Sequence, residues 1–185
     1  MKKKFGIAAS AVALAATAAI SPIGADNAQA TACTAPWGSL AKTSSPMTTR
    51  PVTGVRVGQH GCFERMVIDL GRGSGNTGYD VRYVSKAVVD PSGQVLRLRG
   101  GAVLQVIAKA PAYTTSGVPT YRPANRMEVA NVAGWYNFKQ IAYGSSFEGQ
   151  TQFFIGLRGR LPMKVFVLND TDGGQRLVID VVNSW

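Results

Sequence analysis

The chain has 185 residues, a formal net charge of +10 from 20 Lys+Arg against 10 Asp+Glu, two cysteines and a single histidine. It is long enough for one domain with a proper hydrophobic core, and with so little His and Cys it has no metal-ligand pair at useful spacing. It also lacks a Gly-x-Ser-x-Gly elbow and a phosphate loop, so most hydrolytic and metal mechanisms are without their parts; the expectation is a protein that acts without catalysis, metal or cofactor.

The first element in chain order is an address. Lys2, Lys3 and Lys4 form a basic start, Phe5 to Ile20 an apolar Ala-rich segment, Pro22 a break, and Ala28-Gln29-Ala30 the small-x-small form of a signal-peptidase site. This pattern predicts a signal peptide over residues 1–30, cleaved after Ala30, and a secreted protein. The apolar segment is short for a membrane span and ends in helix breakers. Lipidation of Cys33 is the competing outcome, but Ala30-Thr31-Ala32 lacks the large aliphatic residue expected before a lipidated cysteine. Removing Lys2, Lys3, Lys4 and Asp26 takes the charge from +10 to +8. Outside the cell such charge favours anionic wall polymers, lipid headgroups or acidic polysaccharides, and it also promotes solubility with no partner at all. Arg97-Leu98-Arg99-Gly100-Gly101 resembles one RGG segment, but it is not repeated, and export argues against nucleic acid.

Residues 31–51 are rich in Thr, Ser, Pro and Ala, have little periodic pattern, and read as an arm that needs a tether. An even cysteine count in an oxidising compartment supplies one, a Cys33–Cys62 disulfide. It closes a loop of about thirty residues, worth roughly 3–4 kcal/mol in the chain-entropy model. A nucleophilic Cys62 assisted by His60 is the alternative, and it requires a reduced thiol.

Past the arm, over residues 52–185, strand-like runs alternate with turns. The candidates are Val52 to Gly58, Phe63 to Leu70, Tyr79 to Val84, Ala102 to Lys109, Phe138 to Tyr143, Gly149 to Leu157, Met163 to Leu168 and Gln175 to Val182. Eight short strands predict an all-β, single-domain sandwich. A short helix is expected around Asn125 to Val132. Asp170 and Asp172 beside Gly173 slightly resemble a calcium loop, but the run lacks a distal glutamate and reads as a hairpin turn.

Two of the strands nearly repeat each other: Arg65-Met66-Val67-Ile68-Asp69-Leu70 and Arg176-Leu177-Val178-Ile179-Asp180-Val181. With period two, Met66, Ile68 and Leu70 share one face and Arg65, Val67 and Asp69 the other. Laid antiparallel, Arg65 faces Asp180 and Asp69 faces Arg176, a cross-strand exchange that makes all four structural buried charges; a diagonal or backbone partner would serve equally. A hydrolase using Asp69 or Asp180 with His60 would require those groups to converge on an open cleft.

Candidate ligand-binding residues are Trp135, Tyr136, Lys139 and Tyr143, close in sequence, with Tyr113 and Tyr121 flanking a Gly-Pro loop. Exposed rings stack on sugar faces while cations engage carboxylates, although aromatics in all-β proteins also fill cores. Trp37 and Trp185 read as residues that dock the chain ends onto the sandwich.

These strands resemble a known family. Lys164-Val165-Phe166-Val167-Leu168, a turn, then Arg176 to Val181 looks like the end of an AMIN domain, the β-rich module at the front of cell-wall amidases and in envelope secretion machinery. Val55-Arg56-Val57-Gly58, Phe63 to Leu70 and Gly78-Tyr79-Asp80-Val81-Arg82-Tyr83-Val84 are similar to its opening strands. The longer middle, with Gly100 to Val106, Pro119-Thr120-Tyr121 and Ser146 to Gly149 inserted, more closely resembles the exported AMIN-like proteins, small stand-alone chains of bacteria. The resemblance covers Val52 to Val182. It implies a β-sandwich that binds or localises to peptidoglycan or another wall polymer, and it carries over no catalytic residues. The competing expectation is an interaction module for another envelope protein, using an exposed strand edge or apolar patch.

Overall fold

The computed structural model describes Cys33 and residues 36–183; the leader with its cleavage site after Ala30, and Trp185, lie outside them. In chain order the strands are β1 (Lys42–Ser44), β2 (Val52–Gln59), β3 (Phe63–Leu70), β4 (Tyr79–Val84), β5 (Ala87–Val89), β6 (Gln94–Leu96), β7 (Ala102–Ala108), β8 (Phe138–Phe147), β9 (Gln150–Leu157), β10 (Met163–Asn169) and β11 (Gln175–Val182). One sheet runs β1-β4-β7-β9-β8, a second runs β10-β11-β3-β2, and β5 and β6 form a separate hairpin.

Strand β3 illustrates why the sheets stack. Glu64, Met66, Ile68 and Leu70 are buried, while Phe63, Arg65, Val67 and Asp69 are half-buried on the opposite face, the partition that period two imposes on a sheet covered on one side. The opposing sheet contributes Leu104, Val106, Phe153 and Ile155, all inaccessible to solvent, to the same core. The alternation in β9 predicts a half-buried strand, but it is buried from Thr151 to Leu157. The cause is the β5–β6 hairpin, whose Ala87, Val89 and Leu96 close a second, smaller core over Phe154 and Ala142.

The arm is held by more than its tether. The Cys33–Cys62 disulfide is formed, and β1 pairs antiparallel with β4, Lys42 opposite Val81 and Ser44 opposite Tyr79. Thr48 N donates to Lys109 O and Thr49 N to Ser74 O, both at 3.1 Å. Trp37 packs against Phe63, ring centroids 5.8 Å apart. Backbone attachments of this kind leave no hydrophobic period in the sequence, so the three-residue strand had no signal there.

No helix forms at Asn125 to Val132. Residues 109–137 instead run as an irregular cover whose backbone groups are used on edge strand β8. Tyr143 N donates to Arg126 O at 2.7 Å and Val129 N to Ile141 O at 2.9 Å, while Gln140 Nε2 donates to Met127 O at 2.9 Å. Covering an edge in this way satisfies donors that a helix would have satisfied internally. At its start the cover reaches the other sheet: Val52 N donates to Pro111 O at 2.7 Å and Thr120 Oγ1 to Val52 O at 2.7 Å. Ala110, Ala112 and Val132 enter the main core, with Tyr121, Val129 and Trp135 at its margin. The cover thus closes the side of the sandwich between β8 and β2.

In the β3–β11 ladder, Arg65 stands opposite Asp180 and Asp69 opposite Arg176. Arg65 grips Asp180 with two bonds of 2.6 and 2.8 Å, and the Asp180 side chain is only 3% exposed. The second exchange is not made, which corrects the expectation for Asp69 and Arg176. Asp69 is taken diagonally by Arg56 of β2, at 2.7 and 2.6 Å, and Arg176 reaches Asp170 in the β10–β11 turn at 2.6 Å. Asp69 and Arg176 keep 26% and 36% of their side chains in solvent. They lie on the outer face of the second sheet, where long arginine side chains reach whichever carboxylate is nearest. Asp172 Oδ1 accepts from Gly174 N at 3.0 Å, so the acids of this turn serve the hairpin.

Candidate functional site

The cover creates two grooves. In the first, of about 690 Å³, Tyr113, Tyr121 and Tyr143 are joined by Pro119, Arg122 and Arg126. Tyr143 projects from β8 and meets Tyr121 of the cover edge-on, centroids 5.9 Å apart, while the Tyr143 ring leans on Phe153 at 5.5 Å. The tyrosines are therefore core residues at their inner edges and groove walls at their outer ones, the amphipathic use of the ring. Tyr113 Oη accepts a hydrogen bond from Gly149 N at 2.8 Å. The Tyr121 and Tyr143 hydroxyls have no bonding partner among the described residues and remain accessible. Burial, with Tyr143 beside it, pushes Tyr121 up to about 12, and burial also raises Tyr143 against a small opposing effect of Arg126. Both hydroxyls are thus protonated donors at neutral pH.

Arg126 is held by strand β8, donating from Nη2 to Gly144 O at 2.8 Å, and Arg122 is exposed. Neither meets a carboxylate among the described residues, whereas Arg56, Arg65, Arg82, Arg99 and Arg176 each pair with one. Two guanidiniums without a carboxylate partner and two free hydroxyl donors thus line one groove, groups whose chemistry suits an anion that also accepts hydrogen bonds.

The second groove, also about 690 Å³, holds Trp135 and Lys139 with Arg99, Arg158 and the Gly100-Gly101 turn. Trp135 stacks on Phe138 at 6.0 Å, and Lys139 Nζ donates to Trp135 O at 2.8 Å. Tyr136 is 58% exposed beneath the Arg158 guanidinium, 4.5 Å from its ring. The candidate quartet therefore divides: Trp135, Tyr136 and Lys139 gather at one end of the cover and Tyr143 at the other.

Behind the second groove lies a residue the alternation pattern hides. Glu64 is 1% exposed, and its carboxylate accepts from the backbone N–H groups of Tyr136 at 2.9 Å, Asn137 at 3.1 Å and Phe138 at 2.6 Å. Asn137 in turn donates to Val182 O at 2.9 Å and accepts from Arg158 Nε at 2.8 Å. Consecutive backbone donors aimed at one anion are a sufficient partner for a buried carboxylate. The arrangement locks the Trp135-bearing end of the cover to the sandwich.

Asp69, Asp180 and His60 are not assembled as a catalytic group. Each aspartate is held by a different arginine, and His60 stacks on Phe63 at 4.4 Å. Cys62 is in the disulfide, and no group of three or more metal-ligating side chains occurs among the described residues.

One family model, the AMIN-like domain, matches residues 50–183, a range that takes in the ladder of β3 with β11 and the long middle that becomes the cover. The chain belongs to the AMIN-like domain family. A comparison with curated proteins finds none that matches. The matched residues of this AMIN-like domain include the whole cover and both grooves, and the family marks it as a cell-envelope-related module. The disulfide suits the oxidising surroundings in which such a module works.

Proposed function

We propose that this AMIN-like protein is exported by its N-terminal signal peptide and acts without catalysis at the cell wall, binding peptidoglycan or another anionic wall glycan in the tyrosine groove. The observation that carries this reading is the pair Arg122 and Arg126, cations without a carboxylate partner among the described residues, set beside the Tyr121 and Tyr143 hydroxyls. A glycan supplies what these groups ask for: hydroxyl and carbonyl acceptors, apolar sugar faces for the rings, and carboxylates for the arginines.

The test is retention on purified wall sacculi across a salt series. Binding is expected to saturate, to survive moderate salt because the rings contribute, and to fall as ionic strength screens the arginines. Arg122→Gln should weaken it about tenfold, and Tyr143→Phe, which removes only a hydroxyl, by a smaller factor. Retention that vanishes at the first addition of salt, or that neither substitution changes, would refute the assignment.

A further inference from the structure

Resting on that reading, we propose that the ligand is a chain that occupies both grooves at once, with the Trp135 groove as a second subsite for the same polyanionic glycan. The two grooves have equal volumes of about 690 Å³ and share two features, although the second also holds Arg99, which is paired with Glu128. Each has an aromatic wall, Tyr121 and Tyr143 in one and Trp135 in the other. Each has two cations without a carboxylate partner among the described residues: Arg122 and Arg126, then Lys139 and Arg158. No carboxylate lines either groove, in contrast to the pocket beside the β5–β6 hairpin, which carries Asp90 and Glu148.

Their placement points to one elongated occupant. Both grooves border the cover and strand β8, the second being completed by Arg99, the Gly100-Gly101 turn and Arg158: Lys139, at a bulge of β8, and Tyr143 stand four residues apart, about 13 Å along a strand. The segment between them, Arg126 to Val132, is bonded to β8 at Ile141 and Tyr143. The spacing is therefore fixed by the sheet and is not left to a mobile loop. The second groove is also held in shape before any ligand arrives, because Glu64 ties down its backbone and Arg158 is held by Asn137 and Asn183. Two fixed subsites at a fixed distance bind a polymer more tightly than either binds its repeat, because the second contact forms at high effective concentration.

Length dependence tests this. Soluble fragments from purified sacculi, sorted by chain length and end-labelled, would be titrated into the protein and followed by fluorescence anisotropy. Two variants that each place a carboxylate in one groove separate them: Arg122→Glu in the first and Ala133→Glu in the second, both at exposed positions, so that folding is preserved and checked by an unchanged Tm. Affinity of the unmodified protein should rise about tenfold or more from the shortest to the longer fragments. Ala133→Glu should remove that gain and leave the shortest fragments bound as before, while Arg122→Glu should weaken every length. An Ala133→Glu protein that matches the unmodified one at all lengths would overturn the second subsite and leave the proposed function standing. Failure of every fragment to bind, or indifference to Arg122→Glu, would overturn the proposed function and this inference with it.

Discussion

Two aspartates that look equivalent in sequence are held very differently. Asp180 sits at 3% side-chain exposure against Arg65, so Arg65→Ala would leave a buried carboxylate without its counterion. The expected loss is about 3 kcal/mol of unfolding free energy, read as a lower urea midpoint at unchanged slope. Asp69 lies at 26% exposure under the solvent-facing Arg56, and Asp69→Ala is expected to cost less than about 1 kcal/mol. Equal losses would contradict this account of burial. The groove tyrosines titrate in a defined direction. Burial raises Tyr143, and Tyr121 to about 12, so in the folded protein both keep their protons above the pH at which the unfolded chain begins to release its own. The stability that this contributes is complete below the unfolded tyrosine value and is lost as pH climbs toward 12 for Tyr121. A tyrosinate absorbance titration of native protein against Tyr121→Phe should lose its latest-ionising ring. An early-ionising one would refute the burial argument.

Among the elements, the arm and the cover carry the contacts that their composition conceals. Cys33→Ser removes a cross-link across 29 residues, and a loss of about 3 kcal/mol is expected. Strand β1 should nevertheless keep its amides protected from hydrogen exchange, because it is hydrogen-bonded to β4. Gly78→Ala should do the reverse: a Cβ there meets the carbonyl oxygens of Ser44 and Pro46, so the arm is pushed away while the disulfide stays intact. Exchange at Lys42–Ser44 separates the two outcomes. The contrast explains what was legible beforehand. The β3–β11 register could be read because period two and an Arg/Asp pair at either end specify it, and both are local properties of the strands. The partners of Asp69 and Arg176 could not, because a long side chain on a solvent face selects its carboxylate by reach across neighbouring strands. Glu64 looked like one more polar residue at a strand start, since its donors are backbone amides, which any sequence supplies. Arg122 and Arg126 stand out only through the absence of an acid nearby, which is a fact of tertiary structure. The helix expected at Asn125 to Val132 failed for a related reason, as the edge of β8 competed for the same backbone groups.

For the molecule as a whole, the basic residues are of two kinds, those paired with acids and those left unpaired. Five arginines are neutralised by acids within the fold, and four of the unneutralised cations are distributed between the two cover grooves. Other unpaired basic residues, among them Arg50, Arg72, Lys86, Arg160 and Lys164, lie outside both grooves, so the two cover grooves hold one share of the positive charge of the fold. The near-repeat of β3 and β11 has its own consequence at this scale. Val67 faces Val178 at the centre of the ladder, with Arg65–Asp180 on one side of it and Asp69–Arg176 on the other, so each strand is a palindrome in the antiparallel sense. A β3 segment meeting the β3 of a neighbouring chain finds base opposite acid just as it does on meeting β11. Correct pairing then draws on residues outside the palindrome: Glu64, which accepts from amides of the cover and of the start of β8, and Arg56 and Asp170, which draw Asp69 and Arg176 out of the symmetric arrangement. Refolding should therefore lose yield to light-scattering oligomers as protein concentration rises, and Glu64→Ala should bring that loss on at lower concentration. The same asymmetry that spoils a tidy charge exchange is what tells the chain which strand is its own.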